Sequence, residues 1–285
     1  MFFRRALCAV AFLIVAHAET VVEKPFAGIT HIHHTESAPR NVSIHVVLVD
    51  LAQPGLRFHL TSPGGSRETV RQTTLEFLRE QHAQVAVNAH FFLPYPSQDS
   101  DAFVVGLAAS DGKVYSDFET PEQAYALLAN APALNIDAEN HARIVRPATR
   151  GELRTAVAGS AQIVTEGVRT IPVYKPGELT PGGPNNYSNI DSWYERVNAR
   201  TMIGLSQDAR QLVLFVVDRM TVGEAADFLI ANYGVWNALN LDGGGSTTLA
   251  MEDPSTHEAI LVNAPSEGST GRAVGSNLAV FAPVN

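Results

Sequence analysis

Three glycines in a row, set behind an apolar run and an aspartate, constrain this 285-residue chain more than any other feature. The stretch is Asn240-Leu241-Asp242-Gly243-Gly244-Gly245-Ser246-Thr247-Thr248, and the run from Val235 to Leu241 that leads into it reads as a short buried strand. Consecutive glycines give up side-chain packing and cost roughly 0.5–1 kcal/mol each relative to alanine, so a tight turn or a close backbone approach must offset them. An acid at the start of such a turn, beside exposed N–H groups, suits a polar ligand, anionic or sugar-like. A plain glycine-rich hairpin capped by its aspartate meets the same spacing. The stretch matches neither a phosphate loop, nor a dinucleotide fingerprint, nor a G-x-S-x-G nucleophile elbow, which makes Ser246 a poor nucleophile candidate.

The first 18 residues do not belong to a folded core. Arg4-Arg5, the apolar run Ala6 to Val15 and Ala16-His17-Ala18 have the basic, apolar and small-residue regions of a secretory signal peptide, with cleavage expected after Ala18. The expectation is a secreted or periplasmic protein without stable membrane insertion, since that run is too short to span a bilayer and no later segment approaches 18 apolar residues. Cys8 lies in the leader, so the mature chain would hold no disulfide, thiolate metal site or catalytic thiol. Losing Arg4 and Arg5 takes the formal charge from −9 to −11, which argues against nucleic-acid or anionic-membrane partners. Any bound anion must then be held by a few local arginines.

Along the chain, Ile44–Asp50 reads as a strand buried on both faces, entered from the histidine-rich His31-Ile32-His33-His34. Two histidines two apart share one face of a strand and can ligate a metal, but no further ligand cluster accompanies them, and no metal or cofactor is expected. Thr69 to Gln72 reads as a capping box for a helix near 70–82, leading into the strand Gln84–Asn88. That strand ends in Asn88-Ala89-His90-Phe91-Phe92, a second place with polar groups at a strand terminus. His90 there is a candidate general acid or base, or alternatively a histidine packed in a turn. Asp111-Gly112 signals a hairpin, Thr120-Pro121-Glu122-Gln123 a short helix, and 175–192, rich in Pro, Gly and Asn, a long loop. Arg154, Arg200 and Arg272 each stand at the start of a β-prone run and are candidates to converge on an anion; separate surface ion pairs are the bland alternative.

The last third is the most regular. Gln211–Asp218 reads as a strand, Thr221 and Glu224 as a capping box, Ala225, Phe228, Leu229 and Tyr233 as a helical apolar face, and Gly234 as the stop. With the strand to Leu241 this makes a β-α-β unit, whose strands should lie parallel and place Asp218 and Asp242 at their C-terminal ends.

These residues resemble the phosphodiester glycosidase family related to N-acetylglucosamine-1-phosphodiester α-N-acetylglucosaminidase. Asn240–Thr248 looks like the family signature, Arg200-Thr201-Met202-Ile203-Gly204 is similar to its R-T-A-[IL]-G element, Asn88–Phe92 to its N-[AG]-G-[FY]-F motif, and Gly271-Arg272-Ala273-Val274 to its closing strand. The likeness spans roughly 80–285, within a domain expected over 19–285. His90 stands where the family usually has glycine, and Arg219-Met220 replaces the usual Gly-Arg after Asp218. The fold expected is α+β, mixed sheets with flanking helices in a single catalytic domain that contains the C-terminal β-α-β unit.

The resemblance implies a hydrolase releasing a sugar from a sugar-1-phosphodiester of the N-acetylglucosamine-1-phosphate type, in the cell envelope or an exopolysaccharide. In that reading Asp242, Arg200 and His90 are catalytic: Asp242 attacks the anomeric carbon or activates water, and Arg200, helped by Arg272 or Arg154 and the Gly243, Gly244 and Gly245 amides, clamps the phosphate. Asn88 and His90 bind sugar hydroxyls or the departing oxygen, and Asp218, Ser246 and Thr247 also face the substrate. Alternatives are a catalytically silent carbohydrate-binding envelope protein, favoured by His90 crowding a small-residue position, and a phosphodiesterase breaking the P–O bond.

Overall fold

A computed structural model describes residues 18–118, 131–171 and 194–283, and the structural statements below concern those residues. The leader up to residue 17, the helix expected at Thr120–Gln123 and the 175–192 loop lie outside them.

The chain is built from antiparallel strands. The largest sheet has eight, in the order Ala18–Phe26, Ile29–Glu36, Val42–Asp50, Gln211–Met220, Asn198–Leu205, Asn237–Asn240, Ala161–Thr165 and Val168–Arg169. A five-stranded sheet runs Ala259–Leu261, Leu249–Glu252, Val85–Asn88, Asn277–Phe281, Arg57–Leu60. A second five-stranded sheet runs Lys113–Ser116, Ala108–Ser110, Thr155–Ala158, Ala133–Ile136, Ala142–Val145, and three short strands form a fourth. The main core lies where the three larger sheets face one another: Val47, Leu214 and Ile203 from the first meet Val87, Leu278 and Leu60 from the second and Leu134 and Val157 from the third.

Helix α1 (Thr74–Gln81) covers the outer face of the first five-stranded sheet with Phe77 and Leu78, and α2 (Val222–Tyr233) covers the outer face of the eight-stranded sheet with Ala225, Ala226 and Leu229. The Val42–Asp50 strand is therefore buried on both faces: Val47 and Val49 point into the main core, Ile44 and Val46 toward the α2 layer. None of the helices described is long and apolar enough to cross a membrane.

The expected α+β class with mixed sheets is corrected by this architecture, which is mostly β: 21 strands against two α-helices among the described residues. Only two of the described stretches carry an apolar stripe at helical spacing, and the short β-prone runs between 131 and 171 are strands divided between the second five-stranded sheet and the eight-stranded one. The β-α-β reading is corrected in one respect. Gln211–Met220 and Asn237–Asn240 do run parallel, because Asn198–Leu205 is antiparallel to both, but it lies between them and they are not neighbours. Helix α2 starts and stops where expected, with Thr221 and Glu224 closing the capping box and Gly234 left-handed at the end. Helix α1 begins later than expected: its capping box is Thr73 with Glu76, while Thr69 sits in a strand and donates its hydroxyl to the Gly275 carbonyl at 2.6 Å. The Asp111-Gly112 hairpin has both residues at positive φ, +49° and +83°, as a two-residue turn between twisted strands requires.

Candidate active site

The glycine-rich stretch is the crossover between two sheets. The chain leaves the eight-stranded sheet at Asn240, turns once through a 3-10 helix at Gly244–Ser246, and enters the five-stranded sheet at Leu249. Backbone and side-chain bonds knit the crossing. Leu241 N–H donates to the Thr201 carbonyl at 2.9 Å on one sheet, and Asp242 N–H to the Ala89 carbonyl at 3.0 Å on the other. Asn88 holds the centre: its amide donates to the Asp242 carbonyl at 2.7 Å, while its oxygen accepts from the Thr201 hydroxyl at 2.7 Å and from Thr248 N–H at 3.0 Å. A fully buried side-chain amide with donor and acceptor both used is a stiff support.

Two of the glycines are explained by close approach. A Cβ on Gly243 would stand 2.8 Å from the Ala199 carbonyl oxygen, and one on Gly245 would run into the Arg272 and Glu267 side chains. Gly244 is left-handed at φ +60°. Gly243→Ala should fold with a loss of about 1–3 kcal/mol from the forced backbone shift, read from the urea midpoint. An unchanged midpoint would remove the close approach as the reason for glycine.

Asp242 sits at the start of this loop, only 8 % exposed. Desolvation pushes its carboxyl up to about 7, and the Ser246 hydroxyl, the nearby Arg272 charge and Gly243 N–H pull back only in part. Arg272 donates to Ser246 Oγ at 3.2 Å, pairs with Glu267 at 2.9 and 2.5 Å, and lies 4.6 Å over the Tyr95 ring. The cluster thus runs Asp242–Ser246–Arg272–Glu267, with Tyr95 as a platform. Tyr95 and Glu267 carry no motif, and the sequence offered no signal for either. Ser276 and Asn263, which buttress His90 and Thr247, were equally invisible.

Arg200 stands on the Asn198–Leu205 strand, beneath the loop. It is buried, donates Nε–H to the Met220 carbonyl at 3.2 Å and another N–H to the Arg196 carbonyl, and burial pulls its guanidinium down to about 10, so it stays charged at neutral pH. With Tyr194, Asn198, Asn240 and Gly243 it borders a cavity of about 20 Å³ under the loop. Thr247 Oγ1 and Asn240 Oδ1 are buried without a hydrogen-bond partner.

The remaining expected site residues are placed elsewhere. His90 is fully buried: Nδ1 lies 2.8 Å from Ser276 Oγ, and Nε2 lies 3.0 Å from both the Leu107 carbonyl and Ala158 N–H. Desolvation drives its pKa down to about 4, so it is a neutral core histidine with both nitrogens engaged, which corrects the acid–base expectation. Asn88 likewise is fully buried and spends its amide and its oxygen on the protein. Arg154 is not at the loop; it pairs with Asp111 at 3.7 Å and lines a separate cavity with His59 and Asp137, so the three arginines do not converge. Asp218 lies two strands from Asn240 and accepts from Ser43 N–H at 2.9 Å. One group of potential metal ligands converges among the described residues, Asp137, Glu139 and His141 in an exposed hairpin turn, where Asp137 already caps two N–H groups.

Comparisons with known proteins bear on the family and the fold. The family model described as phosphodiester glycosidase matches residues 81–281. Among solved structures, the zebrafish N-acetylglucosamine-1-phosphodiester alpha-N-acetylglucosaminidase catalytic domain, auto-inhibited by its pro-peptide, superposes with a TM-score of 0.63 at 18% identity, over 94% of this chain and 83% of that one. A hypothetical protein from Synechocystis gives 0.64 at 15% identity over 90% of this chain, which spans 62% of that protein's length. A Burkholderia pseudomallei protein gives 0.66 at 12% identity, covering 94% and 97%. At these identities the neighbours show a shared fold. No curated protein matches the chain. The family match covers well over half the chain and includes both the Asn88 support and the Asp242 loop: the chain belongs to the phosphodiester glycosidase family.

Proposed function

We propose that the protein is a hydrolase that cleaves the glycosidic C1–O bond of a sugar-1-phosphodiester outside the cytoplasm, with Asp242 as its central carboxylate. The observation that carries this reading is the pairing of a buried aspartate held near pH 7 with a cation two contacts away, through Ser246 to Arg272. Expelling a phosphate monoester from C1 needs little help from a general acid. It needs a carboxylate at the anomeric carbon and positive charge where the phosphate leaves. In this scheme Asp242 attacks C1 or takes a proton from the attacking water; the C1–O bond breaks, and its electron pair departs on the phosphate oxygen. Arg272, released in part from Glu267, meets that charge. Arg200 supports the loop from beneath, and Asn88 fixes the Asp242 backbone. The substrate class that fits is an N-acetylglucosamine-1-phosphate-type linkage of envelope or extracellular polysaccharide, with the leader directing export.

The test is incubation of the chain beginning at Glu19 with a GlcNAc-1-phosphodiester in heavy-oxygen water. Free sugar carrying the label at C1 is expected. Label in the phosphate would replace the scheme with P–O cleavage, and no turnover by folded protein on this and related sugar phosphodiesters would leave a binding protein instead.

A further inference from the structure

A cleft of about 680 Å³ opens between the first three strands of the eight-stranded sheet and the segment 251–264. It is separate from the small cavity under the Asp242 loop. One wall is a hydrogen-bonded chain across three strands. Glu23 is a carboxylate that only accepts, so His31 donates Nδ1–H to it at 3.4 Å, and His31 Nε2 must accept from His45 Nδ1–H at 3.1 Å. His45 Nε2 then accepts from the Ser43 hydroxyl at 3.4 Å, and Ser43 Oγ accepts from His33 Nε2–H at 2.9 Å. Burial lowers the pKa of His31 and holds His45 at about 3, so these two imidazoles are neutral and each keeps one tautomer. The direction imposed by Glu23 commits His33 Nε2–H to Ser43 and leaves His33 Nδ1 with no hydrogen-bond partner among the described residues. The opposite wall is aliphatic, with Ile260, Leu261, Val262 and Pro254, and Ile260 is 42 % exposed. Around the cleft, Glu23, Glu252 and Asp253 outnumber Lys24, which disfavours an anion.

The same segment that walls this cleft continues over the Asp242 loop. Asn263 donates to the Thr247 carbonyl at 3.1 Å and accepts from Leu249 N–H at 2.7 Å, Ser266 Oγ–H reaches the Gly244 carbonyl at 3.4 Å, and Glu267 holds Arg272. We propose that the cleft is a second carbohydrate site, which takes an uncharged stretch of oligosaccharide, its hydroxyls hydrogen-bonding to His33 Nδ1 and its C–H faces lying on Ile260 and Leu261. Resting on the reading of the Asp242 site as a sugar-phosphodiester hydrolase, it makes the substrate polymeric, anchored by neutral sugars while the charged linkage is cut. Aliphatic and hydroxyl-binding groups on facing walls match the two-sided character of a pyranose.

Binding can be read without turnover. Titrating the chain from Glu19 with tri-N-acetylchitotriose and with maltotriose, followed by calorimetry or amide NMR, should show millimolar binding of at least one. Ile260→Asp and His33→Ala should weaken it at least about fivefold, and Asp242→Asn should leave it unchanged. Neither cleft variant should alter hydrolysis of a short GlcNAc-1-phosphodiester. Loss of trisaccharide binding in Asp242→Asn, with retention in both cleft variants, would move the sugar to the active site and overturn the proposal. So would the absence of binding of either trisaccharide at about 10 mM, a ceiling near 3 kcal/mol. Both results leave the hydrolase reading to its own assay.

Discussion

Replacing Asp242 by asparagine is expected to abolish turnover, by about a thousandfold or more, and at the same time to make the protein more stable at pH 8. Burial holds this carboxyl at about 7 in the folded chain, against an ordinary value of 3.8. The folded state thus binds its proton more tightly between roughly pH 4 and 7. The stability contributed by the protonated group is fully present below the unfolded value and is lost as pH rises through 7, a swing on the order of 4 kcal/mol. Asparagine keeps the shape, still accepts from Ser246, and carries no charge to desolvate. Its melting temperature should exceed the wild type's by about 4 °C or more at pH 8, with the difference closing near pH 4. Parallel melting curves at both pH values, with no gap at either, would mean that the Asp242 carboxyl is not held in a desolvated site. The buried histidines act in the opposite sense: His90 and His45, at about 4 and about 3, give stability above their ordinary value of 6.5 that is lost as pH falls.

Asn88→Ala should cause the largest loss of stability among the substitutions considered. It leaves three buried partners without a mate, the Asp242 carbonyl, the Thr201 hydroxyl and Thr248 N–H. At about 1–3 kcal/mol for each orphaned group, the sum is about 3–9 kcal/mol, a drop on the order of 10 °C in melting temperature. A urea midpoint that yields less than about 1 kcal/mol would show that the two sheets hold the loop without this amide.

How much of this was legible before the structure depended on whether the cause was local. Helix α2 was, because capping box, apolar face and terminal glycine all lie within fourteen residues of one another. The start of α1 was not: Thr69 to Gln72 mimics a cap, and only the pairing of Thr69 with Ala102 pulls it into a strand. The Asp242 loop was legible from its own residues, since an acid before three glycines needs an explanation wherever it occurs. Its companions were not. Tyr95, Glu267 and Arg272 meet through tertiary packing, and Arg154, which looks like Arg200 and Arg272 in the sequence, lies on another sheet. The overall class was misjudged for the same reason. Strand partners such as Val85–Asn88 and Asn277–Phe281 stand far apart in the chain, and no periodicity within either announces the other.

The crossover of the Asp242 loop between two sheets ties chemistry to the order of folding. Two of the bonds that shape the site join Asn88 to Thr201 and to Asp242, 113 and 154 positions away, and they become possible only once both sheets exist and have docked. Closing such long loops is slow and is rewarded late. A chain with either sheet unfinished can therefore hold its helices and hairpins and still lack an assembled Asp242 loop.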